Sequence, residues 1–79
     1  MIDIKKEIRY VAAVMNEVPM FLFRNFTKGG YSFTDNISVA SKCIGKQTAE
    51  DMINIYRKET NDAQSITILP IEVSYKIVE

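Results

Sequence analysis

The stretch KQTAEDMINIYRKET, Lys46–Thr60, decides the fold, because its apolar residues have the spacing of a helix in a chain that otherwise looks like strands. Residues three and four positions apart lie on the same face of an α-helix. The residues that form this stripe are Ala49, Met52, Ile53, Tyr56 and Thr60, and Ile55 flanks it. A helix with one apolar stripe buries it against another element. We therefore predict a single helix that covers a sheet.

The two ends of this helix carry signals of their own. Thr48 suits the N-cap position, with Asp51 three residues later as its capping-box partner. Glu50 and Asp51 would then lie in the first turn, where the helix dipole favours negative charge. Asn61 and Asp62 interrupt the helical pattern, so we expect the helix to end there.

Segments of alternating or continuous apolar residues on both sides of the helix predict β-strands. The first covers residues 8–15 and is apolar on both faces, which favours a central position in the sheet. The second covers residues 18–26, and a glycine pair then supplies the positive φ of a turn before a short third strand, residues 31–33. The last extended segment covers residues 65–78.

The resulting order is ββ(β)αβ, which predicts an α+β fold: an antiparallel sheet of three to four strands with one α-helix packed on one face. The 79 residues are expected to form a single domain, 1–79. The connection over residues 34–45 has two interpretations. Ile37, Ala40 and Ile44 suit a helical turn, whereas Ile37 and Val39 suit a strand.

The final strand is longer than a domain of this size needs. Residues 65–78 would span about 45 Å if straight, at roughly 3.3 Å per residue, whereas the helix can cover only about 20 Å of the face from Thr67 to Ile77. We expect the strand to bend or bulge at Pro70 or to project beyond the domain. The uncovered part predicts a homodimer in which each strand covers the other chain's sheet. The residues assigned to this interface are Ile71, Val73, Tyr75 and Ile77.

The residue types of the chain exclude several kinds of chemistry. There is no His and a single cysteine, Cys43, so an intrachain disulfide, a Cys/His zinc site and a His-activated nucleophile are excluded. Cys43 is expected to be a small core residue. Glu50 and Asp51 do not face each other on the helix, and the glycine pair after Lys28 lacks the surroundings of a phosphate-binding loop. We predict no enzyme, no cofactor and no metal site.

Single-stranded nucleic acid is the alternative partner. Aromatic side chains on a sheet can stack bases while cations hold the phosphates, and residues 21–33, FLFRNFTKGGYSF, combine the two. The residues that would make these contacts are Phe21, Phe23, Arg24, Lys28 and Tyr31. The zero net charge of the chain disfavours an interface dominated by phosphates.

Charge is distributed unevenly along the chain. Residues 1–46 carry seven Lys and Arg against four Asp and Glu, whereas residues 47–79 carry three against six. Two oppositely charged surfaces could serve recognition. We favour the simpler interpretation that the acidic helix and the basic sheet attract each other.

The middle of the chain, GGYSFTDNISVASKCIGKQTAEDMI (residues 29–53), resembles a pattern in short proteins encoded by bacteriophages and prophages of low-GC Gram-positive bacteria, particularly staphylococcal ones. The pattern is an aromatic strand, a turn, an Ala-x-Lys-aromatic step and a Thr/Ser-capped helix before a final strand. Here these are residues 31–33, 34–36, 40–43 and 48–56. Cys43 stands where an aromatic residue is commoner. The resemblance implies a phage-encoded protein in the host cytoplasm and no particular activity.

These observations together predict a non-enzymatic protein that acts through protein–protein interaction and self-associates through its sheet. Small phage proteins of this kind often occupy a host or phage protein, so such a partner is expected. The longest apolar run, residues 11–15, is too short to cross a bilayer, and the charged N-terminus does not resemble a signal peptide. We therefore expect a cytoplasmic location and no membrane contact.

Overall fold

The structure, a computed structural model, describes residues 2–62 and 64–78. These residues contain a four-stranded antiparallel sheet with strand order β3-β2-β1-β4 and one helix packed on it. The elements are β1 (Ile2–Val14), β2 (Met20–Arg24), β3 (Tyr31–Thr34), α1 (Lys46–Thr60) and β4 (Thr67–Ile77). The predicted α+β fold is confirmed, and the apolar strand β1 lies inside the sheet, as its two-sided pattern indicates.

The main core cluster lies between α1 and one face of the sheet, which we call the helix face. Ala12 of β1 and Leu22 of β2 are fully buried there, beneath the apolar stripe of the helix. Val11 and Ala13 lie on the other face of β1 and are also fully buried. The ring of Phe33 meets the ring of Tyr56 edge-on, with 5.2 Å between centroids. Four members of the predicted stripe are buried, Ala49, Met52, Ile53 and Tyr56, whereas Thr60 is exposed. The prediction of a helix that covers a sheet is confirmed.

The helix begins earlier than its capping signals predict. Gly45 has extended backbone angles (φ −139°, ψ 166°), and its carbonyl oxygen accepts a hydrogen bond from the Ala49 amide. Thr48 therefore lies inside the first turn, and the prediction that it caps the helix is wrong. The amides it would have to cap belong to Glu50 and Asp51, and these already bond to carbonyls of the preceding turn. Both carboxylates lie past the first turn.

The end of the helix follows the prediction. Asn61 adopts the left-handed conformation (φ 55°, ψ 25°), and its amide donates to the Arg57 carbonyl oxygen at 2.9 Å. The Tyr56 hydroxyl donates a hydrogen bond to the Asp62 carboxylate just beyond the helix. This bond lowers the pKa of Asp62, whereas burial raises the pKa of Tyr56.

The segment of residues 41–43 fills the space where β1 and β2 separate beyond their shared rungs. The Ser41 amide donates to the Leu22 carbonyl oxygen at 3.1 Å, and Ser41 Oγ accepts from the Arg24 amide at 3.0 Å. On the other side, Cys43 and Tyr10 exchange two backbone hydrogen bonds of 2.8 Å each. Cys43 is buried, as predicted, and burial raises the pKa of its thiol.

The connection before this inserted segment is a turn. The Val39 amide donates to the Asn36 carbonyl oxygen at 3.0 Å, and the Ala40 amide donates to the Ile37 carbonyl oxygen at 3.2 Å. The two interpretations of residues 34–45 therefore each hold for one part: residues 36–40 turn, and Cys43 then pairs as a strand residue does.

The β2–β3 hairpin is shorter than predicted. β2 ends at Arg24 because the Asn25 side chain turns the chain: its Oδ1 accepts from the amides of Thr27 and Lys28, both at 3.1 Å. Gly29 and Gly30 follow with φ of 78° and 71°, which confirms the conformation predicted for the pair. At the other end, Pro19 precedes the strand, where a missing amide proton costs nothing.

The ladder between β1 and β4 is the longest feature of the molecule. It runs from Ala13↔Thr67 through Tyr10↔Pro70 to Ile2↔Ile77, and its register shift lies between Asp3 and Lys5. The bulge predicted at Pro70 is therefore wrongly placed. Tyr10 makes its backbone hydrogen bonds to Cys43, on the side away from β4. Pro70 is paired with Tyr10, so it occupies a position where β1 and β4 form no backbone hydrogen bond, and its missing amide proton breaks none.

Strand β1 begins at Ile2 rather than at residue 8, because the charged residues before Ile8 also pair with β4. Residues 2–9 and 71–77 thus form a two-stranded extension beyond the rungs that β1 shares with β2. We call this extension the arm. The molecule measures 47 Å in its longest direction and 25 Å in the other two. The predicted projecting strand is present, together with a paired neighbour.

Candidate interaction surface

The face of the sheet opposite the helix, which we call the second face, carries the predicted interface. Side chains alternate between the two faces of a strand, and Ile66 and Ile68 pack against the helix-face core. The alternate residues of β4 lie on the second face: Thr67, Leu69, Ile71, Val73, Tyr75 and Ile77. The expectation that the helix covers part of this row is wrong. The helix covers the other side of β4, which is apolar only before Pro70.

The four residues assigned to the interface form one continuous row on the arm. Ile71 and Val73 are half-buried, whereas Tyr75 and Ile77 expose 51% and 46% of their surface. Ile8, on the opposite side of the arm, is 53% exposed. Both sides of the arm are therefore open, and its apolar side chains depend on a partner for further burial.

A charged row runs beside this apolar row. Lys5, Glu7 and Arg9 are alternate residues of β1 on the second face. Their cross-strand partners are Tyr75, Val73 and Ile71, respectively. The Glu7 carboxylate pairs with the Lys5 ammonium and with the Arg9 guanidinium. The hydrogen bond from Lys5 lowers the pKa of Glu7 and raises that of Lys5.

This charged row was not predicted from the sequence. Its signal is the spacing of two residues between Lys5, Glu7 and Arg9, which matches the alternation of a strand. That signal has meaning only when the strand is extended to the N-terminus.

The residues assigned to nucleic-acid binding lie on different surfaces. Leu22 is in the helix-face core, so Phe21 and Phe23 lie on the second face and Arg24 lies on the helix face. Tyr31 packs against the helix-face core, and the Arg24 guanidinium lies 5.7 Å from its ring centroid. Lys28 is exposed in the hairpin turn. A base stacked on Phe21 and Phe23 would have the sheet between itself and Arg24.

Neither a cluster of metal-ligand side chains nor a membrane-spanning helix is found among the described residues. Within residues 2–62 and 64–78, no three or more His, Cys, Asp and Glu side chains are grouped closely enough to hold a metal ion. In the same ranges, no helix has both the length and the hydropathy to cross a membrane. Comparison with protein-family models, with curated proteins and with solved structures finds no match for this chain.

Proposed function

We propose that this chain is a non-enzymatic phage or prophage protein of the host cytoplasm that acts by binding protein and self-associates through the second face of its sheet. The observation that carries the proposal is the arm. A two-stranded ribbon is marginally stable in water, and further layers or strands normally support it. The arm extends past the helix with apolar residues on both sides. The phage setting is supported by the sequence pattern alone.

A second copy of the chain is the partner that the surface supports best. The apolar row of the arm continues without interruption into Leu69, which is half-buried on the body of the molecule. A surface that extends from arm to body can be covered by an identical surface related by a two-fold axis. A host or phage protein would bind the same arm and would compete with self-association.

Sedimentation equilibrium at micromolar concentration tests the proposal. We expect the mass to rise with concentration from 9.0 kDa towards twice that value. Ile77→Asp should hold the protein at the monomer mass, because it places a carboxylate in the apolar row. Ile55→Asp is the matched control, since Ile55 on α1 is 45% exposed against 46% for Ile77. A monomer mass for the unmodified chain across the whole range would refute self-association.

Capture of partners from host lysate tests binding to another protein. The bait is the unmodified chain, and the control is the Tyr75→Asp variant, whose substitution lies on the arm but outside the core. A host protein retained by the first and lost from the second would support the arm as its binding surface. A protein retained equally by both would place that contact elsewhere.

A further inference from the structure

We infer that two copies pack second face against second face, with their strands antiparallel, so that Glu7 of each copy lies against Arg9 of the other. This inference rests on the proposed self-association and gives it a geometry. It follows from three features of the β1–β4 ladder: the blocked edge of β4, the alternating charges of β1, and the position of those charges along the ladder.

The first feature concerns the outer edge of β4. The backbone N–H and C=O of Tyr10 point away from β4, because both bond to Cys43. In an antiparallel pair, the residue opposite such a position also directs its backbone groups outward. Pro70 therefore places its nitrogen, which has no proton, on the outer edge of β4. A proline at that position interrupts edge-to-edge pairing with another strand, which favours joining two copies through the faces of β4.

The second feature is the charged row, which can match a copy of itself. A two-fold axis that lies between two facing sheets, perpendicular to the strands, places β1 over β1 and β4 over β4 in opposite directions. The row reads positive, negative, positive at Lys5, Glu7 and Arg9. Opposite charges meet when the axis passes at the level of Ile8, midway between Glu7 and Arg9. Each Glu7 then faces an Arg9, across a sheet separation of about 10 Å that two long side chains can bridge.

The third feature is that this register also gives the greatest overlap. Ile8 is the middle residue of β1, Glu72 is the middle residue of β4, and the two are cross-strand partners. An axis at their level lays the arm of each copy over the body of the other. On β4, Ile71 then meets the second copy's Val73, and Tyr75 meets the second copy's Leu69. Charge complementarity allows an axis at Lys6, with Lys5 against Glu7, or at Ile8, with Glu7 against Arg9. Apolar overlap selects the axis at Ile8.

The size of this contact sets the expected strength. Eleven rungs span about 36 Å and two strands about 10 Å, so each copy offers a strip of roughly 360 Å² before side-chain relief is counted. The side chains that project from the sheets add to this area. We expect the accessible surface buried by both copies together to approach, and not greatly exceed, about 1,200 Å², the low end for specific protein interfaces. Interfaces of that size suit weak and reversible association, so we expect a dimer with a micromolar dissociation constant.

A charge-exchange experiment tests the geometry. In Glu7→Arg and in Arg9→Glu, each facing pair of the homodimer has like charges, so self-association should weaken at least about tenfold. An equal mixture of the two variants should restore it, because both facing pairs are then opposite in charge. The double variant Glu7→Arg/Arg9→Glu should also dimerise. Native mass spectrometry separates the mixed dimer from the homodimers by mass.

The matched control reverses a charge on the other side of the arm. Lys6 and Glu72 form an exposed pair at 3.8 Å on the helix face, so Lys6→Glu should leave the dissociation constant within about twofold of the original. Far-UV circular dichroism and thermal melting establish that each variant is folded. The double variant keeps opposite charges at positions 7 and 9 within each chain. Its dimerisation is therefore not affected by the loss of that charge pair, which each single variant suffers.

The possible outcomes separate the inference from the proposal beneath it. A dimer of the unmodified chain, weakened in each single variant and restored in the mixture and in the double variant, supports the geometry. A dimer that the single variants leave unchanged, or that the mixture does not restore, overturns the geometry and leaves self-association standing. A monomeric unmodified chain removes both.

Discussion

The substitution Ile53→Ala measures how far this small domain depends on its single helix. Ile53 is 5% exposed and lies in the core cluster with Ala12 and Leu22. Removal of a buried isoleucine side chain beyond Cβ typically costs about 2–4 kcal/mol, from lost burial and from the cavity that remains. A domain of this length has about 4–12 kcal/mol of total stability, so the change removes a large part of it. The melting temperature should fall by roughly 8–30 °C.

The assay is thermal melting followed by far-UV circular dichroism, with urea titration to obtain the free energy of unfolding. Ile55→Ala is the matched control, because it has the same chemistry on the same helix but an exposed side chain. It should cost less than about 1 kcal/mol. Equal melting temperatures for the two variants would refute the packing of α1 on the sheet. The measurements should be made below the concentration at which the chain self-associates, since a dimer raises apparent stability.

The remaining predictions concern the helix end, pH and nucleic acid. Thr48→Ala should change the free energy of unfolding by less than about 0.5 kcal/mol; a loss near 1 kcal/mol, typical of an N-cap, would show that Thr48 caps the helix after all. The Asp62 pKa is lowered in the folded state, so its ionised form adds stability above the unfolded-state pKa and loses it as pH falls through the folded pKa. Melting of Asp62→Asn should therefore depend less on pH between about pH 4 and pH 2 than melting of the unmodified chain; identical profiles would contradict this. A single-stranded oligonucleotide should bind more weakly than micromolar in fluorescence anisotropy at near-physiological salt, and tighter binding that Arg24→Ala and Lys28→Ala abolish would reverse the ranking of the two partners.

The helix could be predicted from the sequence because its signal is local and repeats over about two turns, from Ala49 to Tyr56. Its first residue could not. Cys43 is fixed to Tyr10 by two backbone hydrogen bonds, and the chain is free to start a helix as soon as it leaves that contact, at Gly45. The start is thus set by a pairing between distant residues, and Thr48, which suits a cap by composition, falls within the helix.

The extent of the strands shows the same limit. Residues 2–7 are mostly charged, which is typical of loops, yet all of them except Ile4 pair with β4. The pairing is compatible with charge because Glu7 lies between Lys5 and Arg9, and because Lys6 lies near Glu72. The pattern within β1 can reveal the first of these balances, but it cannot reveal the second, which joins two strands.

The alternation of residues along β4 correctly predicted that its apolar side chains lie in one row. That alternation does not tell which face of the sheet a helix covers. The helix packs on the face that carries Ile66 and Ile68. The aromatic and basic residues of the alternative site failed to group for a different reason. Phe23 and Arg24 are neighbours in sequence, and neighbours in a strand point to opposite sides.

The inserted segment of residues 41–43 has a consequence for how the molecule opens. It bonds to β1 on one side and to β2 on the other. Protected amides in the body of the sheet can therefore exchange only when β1, β2 and the inserted segment separate together. The arm carries no such constraint and can fray on its own. Reaction of the Cys43 thiol with an alkylating reagent would then follow opening of the body, while amide exchange in residues 2–9 follows opening of the arm. The reaction of Cys43 and the amide exchange of residues 2–9 thus measure the local stability of the body and of the arm independently. A partner that binds the arm should slow amide exchange in residues 2–9 far more than it slows the reaction of Cys43.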